Sequence, residues 1–460
     1  MRSDPAEYEL VAPESLAAVV SILAEKPGEW LPIAGGTDVM VQYAAGKLPA
    51  RRLVSLWNLP ELRRIDVSQT EVSVGAGCTY TDLREHQTVQ REFPLLATAA
   101  RWTGGVANQN RGTLGGNIVN ASPAADSLPA LLVYEADLIL ISFRGERRIK
   151  YVDFHTGYKQ TLLSADELIR AICLPRRFAE YIAYSRKVGA RNAQAISKVC
   201  IAGLGRIGGG VIEDIHIAAG SVAPTPVRLR ETERFLQGRP IDIALVHQAR
   251  RIAAAEILPI DDIRSTSTYR SAVLGNLVAE FLQTLSAHER GKDVLARWNG
   301  LSADEAAREI LDCCGSAAWA QEITARRPLK NEPSLLAASD EIWNSLPMQD
   351  WLEAFSKHPR IGERKAPPAA SSKSAEWSAQ EQKHAELAEN SVQTALAKGN
   401  AEYESKFGRV FIVCATGKTA AEILAILQLR MQKEEQTELR EAAEEQRKIT
   451  NLRLEKWLGQ

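Results

Sequence analysis

The chain has 460 residues, 45% hydrophobic and 25% charged, with 56 Lys plus Arg against 57 Asp plus Glu. That is ordinary globular composition at a length of about three domains, and the balanced charge excludes both the basic stripe that nucleic acid needs and a polybasic membrane anchor. Six cysteines without a C-x-x-C pair exclude a disulfide framework and a zinc or iron–sulfur site held by this chain alone, and with no apolar leader or 18-residue apolar run the expectation is a cytoplasmic, multi-domain protein.

Residues 1–176 alternate helical and strand-like runs. Pro13-Glu14-Ser15 ahead of LAAVVSILAEKP predicts a capped helix with an apolar stripe and a proline stop. EWLPIAGGTDVMVQ reads as a strand, a glycine turn and a second apolar run. RRLVSL, TEVSVGAG and ADLILISFRGERRIKY read as further strands, the last bent at Arg144-Gly145-Glu146, with SLPALLVY helical. From 177 to 286, AEYIAYSRKVG, ISKVCIAGLGRI and VIEDIHIAAGSV predict three strands, the last two joined at glycines 208–210. Helices in RETERFLQG and LVHQARRIAAAEI would lie on that small antiparallel sheet. Residues 287–296 are expected as a linker. From 297 to 460 nearly everything has helical period. SADEAAREILDCCG opens on an N-cap Ser302 and closes on Gly315. A Pro/Ser/Ala loop occupies 365–374, and a helical period runs for some forty residues from Lys418.

Two motifs fail on context. Gly203 to Gly208 matches G-x-G-x-x-G, but a glycine turn and a strand follow instead of the helix a dinucleotide needs. Gly417-Lys418-Thr419 resembles the end of a P-loop, but Ile412 stands where that loop requires glycine. The first reads as hairpin packing and the second as a capped helix start.

Two other glycine clusters carry more. They are Ala34-Gly35-Gly36-Thr37-Asp38 and Gly112-Thr113-Leu114-Gly115-Gly116-Asn117, the latter followed by Asp126. Either alone is an ordinary tight turn. Paired, they offer backbone N–H groups to one diphosphate without a Cβ in the way. Thr37, Thr113 and Asn117 would add donors, and Asp126 would accept from a sugar or ribityl hydroxyl.

The wording LPIAGGTDVMVQ with RGTLGGNIVNASPAADSLPALL is more specific than either turn. Continued by DELIRAICLP, YSRKVGARNAQAIS, AAGSVAPTPVRLRETERFLQGR and DIRSTSTYRSAVLGNLVAEFL, it resembles the FAD-binding subunit of the molybdenum hydroxylases over residues ~5–286. The resemblance implies an α+β FAD-binding domain of the vanillyl-alcohol-oxidase (PCMH) type at 1–176. A small α+β C-terminal flavoprotein domain would follow at 177–286. It implies non-covalent FAD held by a first loop of Pro32, Ile33, Ala34, Gly35, Gly36, Thr37, Asp38 and Val39. The second loop would be Thr113, Leu114, Gly115, Gly116 and Asn117, with further contacts from Asp126, Ile169 and Lys187, the last as a charge near the flavin. Thr103 stands where some relatives carry phenylalanine, and His86 and His155 read as surface or satisfied histidines. Partner subunits carrying molybdopterin and 2Fe-2S centres are implied, with electrons passing on to NAD or another acceptor.

In the second half, Pro359 biases His358 away from helix and places it at a helix end, where a side chain can face a cleft. A lone histidine there is more often structural. Ser378 with Glu381 reads as a capping box. Yet HPRIGE, SAQEQ, NAEYESKFGRVFIVCATGKTAAEILAIL and EQRKITNLRLEKWL, in that order, resemble 2-oxo-4-hydroxy-4-carboxy-5-ureidoimidazoline (OHCU) decarboxylase over residues ~297–458. The resemblance implies an all-α domain at 297–460 with no metal or organic cofactor. His358 would be catalytic, as an acid or base near neutral pH, and Glu381 its acidic companion. Pro359, Ser378, Gln382, Arg453 and the backbone of Phe411, Ile412, Val413, Cys414 and Ala415 would line the site for a small purine-derived substrate.

The expectation is a bifunctional purine-catabolism protein, joined into a homo-oligomer through its helical domain. The alternatives are the FAD subunit of a different molybdenum hydroxylase with a helical docking or dimerisation module, and a stand-alone flavin oxidase.

Overall fold

Ser15 caps the first helix. Its hydroxyl accepts from the Ala18 N–H at 3.2 Å, and Leu16–Glu25 buries Leu16, Val19, Val20 and Leu23 on one face. That face packs with Val54 of a parallel sheet ordered Glu9–Val11, Arg52–Ser55, Trp30–Ile33, and with Leu168 of a second sheet. The second sheet is antiparallel, ordered Ile65–Val67, Glu71–Gly75, Leu168–Pro175, Asp137–Ser142, Gly145–Lys150. Its central strand, LIRAICLP, is buried along most of its length, as its near-continuous apolar run requires. Gly145, at φ +113°, makes the expected hairpin turn.

The computed structural model describes residues 4–191, 194–361, 377 and 390–459, in two units, Met1–Ser286 and Ala287–Gln460. In the first unit, helices that include Tyr80–Glu85, Pro94–Trp102, Leu114–Asn120 and Leu128–Val133 cover the five-stranded sheet and share one core with it. Six consecutive residues of Leu128–Val133 are buried. This helix also packs on a four-stranded antiparallel sheet ordered Ile182–Val188, Val199–Gly208, Val211–Gly220, Val227–Arg228.

The G-x-G-x-x-G run lies wholly inside Val199–Gly208. A Cβ on Gly203 would fall 2.7 Å from Phe281, and one on Gly205 would fall 2.8 Å from Leu285. The glycines therefore make room for the helix Ser267–Asn299 to lie on the sheet, which explains the motif without a nucleotide. Residues 287–296, expected as a linker, are helical within that same element. Dense charge marks a solvated helix as readily as a connection.

The second unit is helical, with Ala303–Cys314, Ala317–Ala325, Glu332–Ser345, Met348–Ser356, Asn390–Phe407, Ala420–Arg430 and Glu435–Leu458 among its described elements. Ser302 and Glu305 form a capping box, and Gly315 ends that helix at φ +90°. Trp298, Trp319, Trp343 and Trp457 are fully buried in its larger core. The forty-residue helical period from Lys418 divides at residues 431–434. Arg430 Nη2 donates to Glu438 Oε1 at 2.5 Å. Eight residues along an unbroken helix would hold them about 12 Å apart, so this buried pair needs the break. No helix among the described residues is long and apolar enough to cross a membrane.

Candidate functional site

The two diglycine turns meet. A Cβ on Gly35 would lie 1.6 Å from the Arg111 carbonyl oxygen, so only glycine permits the first turn to rest on the chain entering the second. Gly36 sits at φ +76°, and its carbonyl accepts from the Met40 N–H at 2.8 Å. Pro32 and Ile33 end the strand Trp30–Ile33, and Ala34, Gly35, Gly36, Thr37 and Asp38 connect it to the short helix Val39–Ala44.

The second turn is fixed from below. Leu114 N–H donates to Cys78 O at 3.0 Å and Gly115 N–H to Ala76 O at 2.9 Å. A Cβ on Gly115 would stand 2.6 Å from that of Ala76. Thr113 caps Leu114–Asn120 by accepting from the Gly116 N–H at 3.1 Å.

A cleft of about 1060 Å³ has Thr103, Asn117, Asn120, Asp126, Lys187 and Ser197 in its lining, and of the two turns it is Asn117 that reaches it. Lys187 Nζ donates to Asp126 Oδ2 at 2.6 Å and to the Trp102 carbonyl at 3.0 Å. The Ser197 hydroxyl donates to the other carboxylate oxygen. Burial pushes the Asp126 carboxyl above its ordinary range, and the Lys187 ammonium is the largest opposing influence. Lys187, expected as a charge for the flavin, is thus matched within the protein.

Asn117 Oδ1 accepts from Ser127 Oγ at 2.8 Å, and Lys159 Nζ donates to Asn120 Oδ1 at 2.7 Å. Thr103 turns its hydroxyl back to Ala99 O at 2.9 Å. The side chain of Ile169 is not among the lining residues. It is buried beside a β-bulge in the five-stranded sheet, in the core that also holds Ala76 and Leu114. His155 sits 3.2 Å from the Tyr151 hydroxyl, and burial pushes its imidazole down to about 4. Ser127 and Ser197 were not legible beforehand, since an isolated serine carries no spacing signal.

In the second unit His358 lies two residues beyond Met348–Ser356, with its N–H donating to Phe355 O at 3.1 Å. It is 8% exposed, and Pro359 beside it is also buried. Burial and then the Arg453 guanidinium push its imidazole down to about 3, with the Gln446 side chain opposing them. The described surroundings therefore keep the ring neutral at pH 7. Among the described residues, Nε2 has no hydrogen-bond partner. Ser378, Glu381 and Gln382 lie outside the described residues.

One helix organises this site. Glu435–Leu458 brings Gln446, Thr450 and Arg453 to a buried face, each at most 2% exposed. Gln446 Nε2 donates to Cys314 O at 3.2 Å and Thr450 Oγ1 at 3.3 Å. From the same helix Glu445 Oε2 accepts from the Cys414 N–H at 2.8 Å. Phe411, Ile412, Val413, Cys414 and Ala415 are all buried. Arg430 holds the Ile412 carbonyl at 2.5 Å and Lys418 Nζ holds the Cys414 carbonyl at 2.5 Å. Two carbonyls and one N–H of 411–415 are thus engaged within the protein. Gln446 and Thr450 had been overlooked. Their signal was polar residues at positions i, i+4 and i+7 with Arg453, where a core-facing stripe is normally apolar.

Comparison with known proteins matches three families in chain order. Residues 6–177 match the FAD binding domain in molybdopterin dehydrogenase, and 184–285 the CO dehydrogenase flavoprotein C-terminal domain. Residues 299–455 match OHCU decarboxylase. The xanthine dehydrogenase FAD-binding subunit of Escherichia coli O157:H7 is 31% identical over 63% of this chain and 99% of its own length. The carbon monoxide dehydrogenase structure from Hydrogenophaga pseudoflava superposes with a TM-score of 0.59 at 28% identity, covering 61% of this chain and 96% of that one. The uric acid degradation bifunctional protein of Arabidopsis thaliana is 41% identical over 31% of this chain and 44% of its own length.

Proposed function

The chain belongs to the family of xanthine dehydrogenase-type FAD-binding subunits and carries an OHCU decarboxylase domain behind that region, and from that premise we propose that it serves two steps of purine breakdown. The observation that carries the flavin half is the meeting of the two diglycine turns, with Asn117 at the end of the second joining Asp126 and Lys187 in one cleft. Gly35, Gly36 and Thr37 would donate to the diphosphate of FAD, and the second turn, with the N–H groups of Gly115 and Gly116 already held by Ala76 O and Thr113 Oγ1, would form the side-chain-free wall it lies against. Asp126, fixed by Lys187 and Ser197, would accept from a ribityl or ribose hydroxyl. FAD held there would supply redox chemistry between partner subunits carrying molybdopterin and 2Fe-2S centres and NAD or another acceptor. Reconstitution with such subunits and an assay with xanthine tests this reading. Turnover of a different heteroaromatic substrate in place of xanthine would favour another molybdenum hydroxylase, and xanthine oxidation by the chain alone would contradict the partner requirement.

The second half would convert OHCU to (S)-allantoin without a cofactor. Arg453 would anchor an anionic or carbonyl group of the substrate. The bond from ring carbon to carboxylate breaks, carbon dioxide leaves, and the electron pair is delocalised into the ring imine. A proton then reaches that carbon from one face. The neutral imidazole of His358 would move the proton, with Glu381 orienting it. The buried His358–Gln446–Arg453 group supports this over a docking module, which has no need of polar side chains inside its core. His358→Ala should abolish decarboxylation of OHCU, and full activity in that variant would overturn the assignment. A homo-oligomer formed through the helical unit completes the proposal, and sedimentation of the full chain tests it.

A further inference from the structure

Arg111 touches the first diglycine turn twice. Its carbonyl oxygen occupies the place where a Gly35 side chain would begin, 1.6 Å from an ideal Cβ. Its side chain returns to the same residue, Nε donating to the Gly35 carbonyl at 3.4 Å. The guanidinium carbon lies 3.7 Å from the ring centroid of Trp57, a close cation–π stack. Arg63 is a second guanidinium on that ring, at 4.8 Å, and is itself paired with Asp82 at 3.3 Å. Arg111 is otherwise exposed, so the core does not depend on it. The next residue, Gly112, is anchored independently, its N–H donating to Asn108 O at 2.6 Å and its carbonyl accepting from Tyr80 N–H at 3.1 Å. Arg111 is therefore the link between a second turn fixed from below and a first turn that rests on it.

We propose that Arg111, stacked on Trp57, is a positioning residue that sets the spacing of the two diglycine turns and thereby the affinity for the diphosphate of FAD. This rests on the flavin-cleft reading above. A planar guanidinium with a fixed Nε–H can stack face-on over Trp57 and donate in its own plane to Gly35 at once, whereas a lysine ammonium has no plane with which to do both. The role thus differs from simple charge neutralisation, in which any cation would serve.

The test uses the full chain freed of flavin, titrated calorimetrically with FAD, ADP and riboflavin. Arg111→Ala, Arg111→Lys and Trp57→Leu should each weaken FAD and ADP by about tenfold, on the order of one stacking contact plus one hydrogen bond. Riboflavin, which has no diphosphate, should bind each variant as it binds the wild type, and so reports that the cleft is intact. Unchanged FAD affinity in Arg111→Ala, full recovery in Arg111→Lys, or a parallel loss for riboflavin would each overturn the proposal. A wild-type chain that binds neither FAD nor ADP would instead overturn the flavin-cleft reading beneath it.

Discussion

At Lys187 the ammonium meets Asp126 at 2.6 Å with side chains only 6% and 7% exposed. Removing one partner of such a pair leaves a buried charge uncompensated, at a cost of about 3–5 kcal/mol. Lys187→Met should lose stability of that order in urea denaturation. Lys187→Met combined with Asp126→Asn should recover much of it. A loss below about 1 kcal/mol would show that water reaches the pair.

His358 gives a second prediction at this scale. Burial and Arg453 lower its pKa to about 3, so its neutral form persists through mild acid. A base of lowered pKa keeps its activity above that pKa and loses it as pH falls through it. The kcat for decarboxylation should accordingly stay level from about pH 8 down to about pH 6, with no acid limb near the ordinary histidine value of about 6.5. A limb centred there would contradict the buried, neutral ring.

Among the elements, the strand Val199–Gly208 shows how far local pattern reaches. Its glycine spacing matched a nucleotide fingerprint, and the absence of a following helix was enough to reject that reading. The positive reason lay beyond the sequence, in Phe281 and Leu285 pressed against Gly203 and Gly205. Gly203→Val should therefore overpack this contact and destabilise the protein by about 1–3 kcal/mol, read as a lowered Tm with unchanged decarboxylation. An undiminished Tm would mean that the helix can move away.

Caps at Ser15, Ser302 and Thr419 were legible because a side chain and the N–H it serves lie within one turn. The hairpins at Gly145 and 209–210 were legible for the same local reason. The division at 431–434 was not, because it answers to Arg430 reaching Ile412 and Glu438. The resemblance supplied both diglycine turns, Asp126, Lys187 and Arg453, but not what surrounds them. Trp57 and Arg111 are 54 positions apart in sequence, and Ser197 reaches Asp126 across 71. No periodicity links such residues before the chain has folded. Ile169 places its side chain in the core.

On the scale of the whole molecule, each unit has its own core and its own candidate site. The buried polar groups that define them are supplied within each unit: Asp126, Lys187 and Ser197 in one, His358, Gln446 and Arg453 in the other. Damage to one site should therefore spare the other. The most direct measurement is the FAD content of the purified full chain, wild type beside Gly35→Ala, with OHCU decarboxylation followed in the same samples. The wild type should carry one FAD per chain, and Gly35→Ala should have lost it while decarboxylating at the wild-type rate. A flavin-free wild type, or a Gly35→Ala chain that keeps its full complement of FAD, would contradict the convergence of the two turns on one diphosphate.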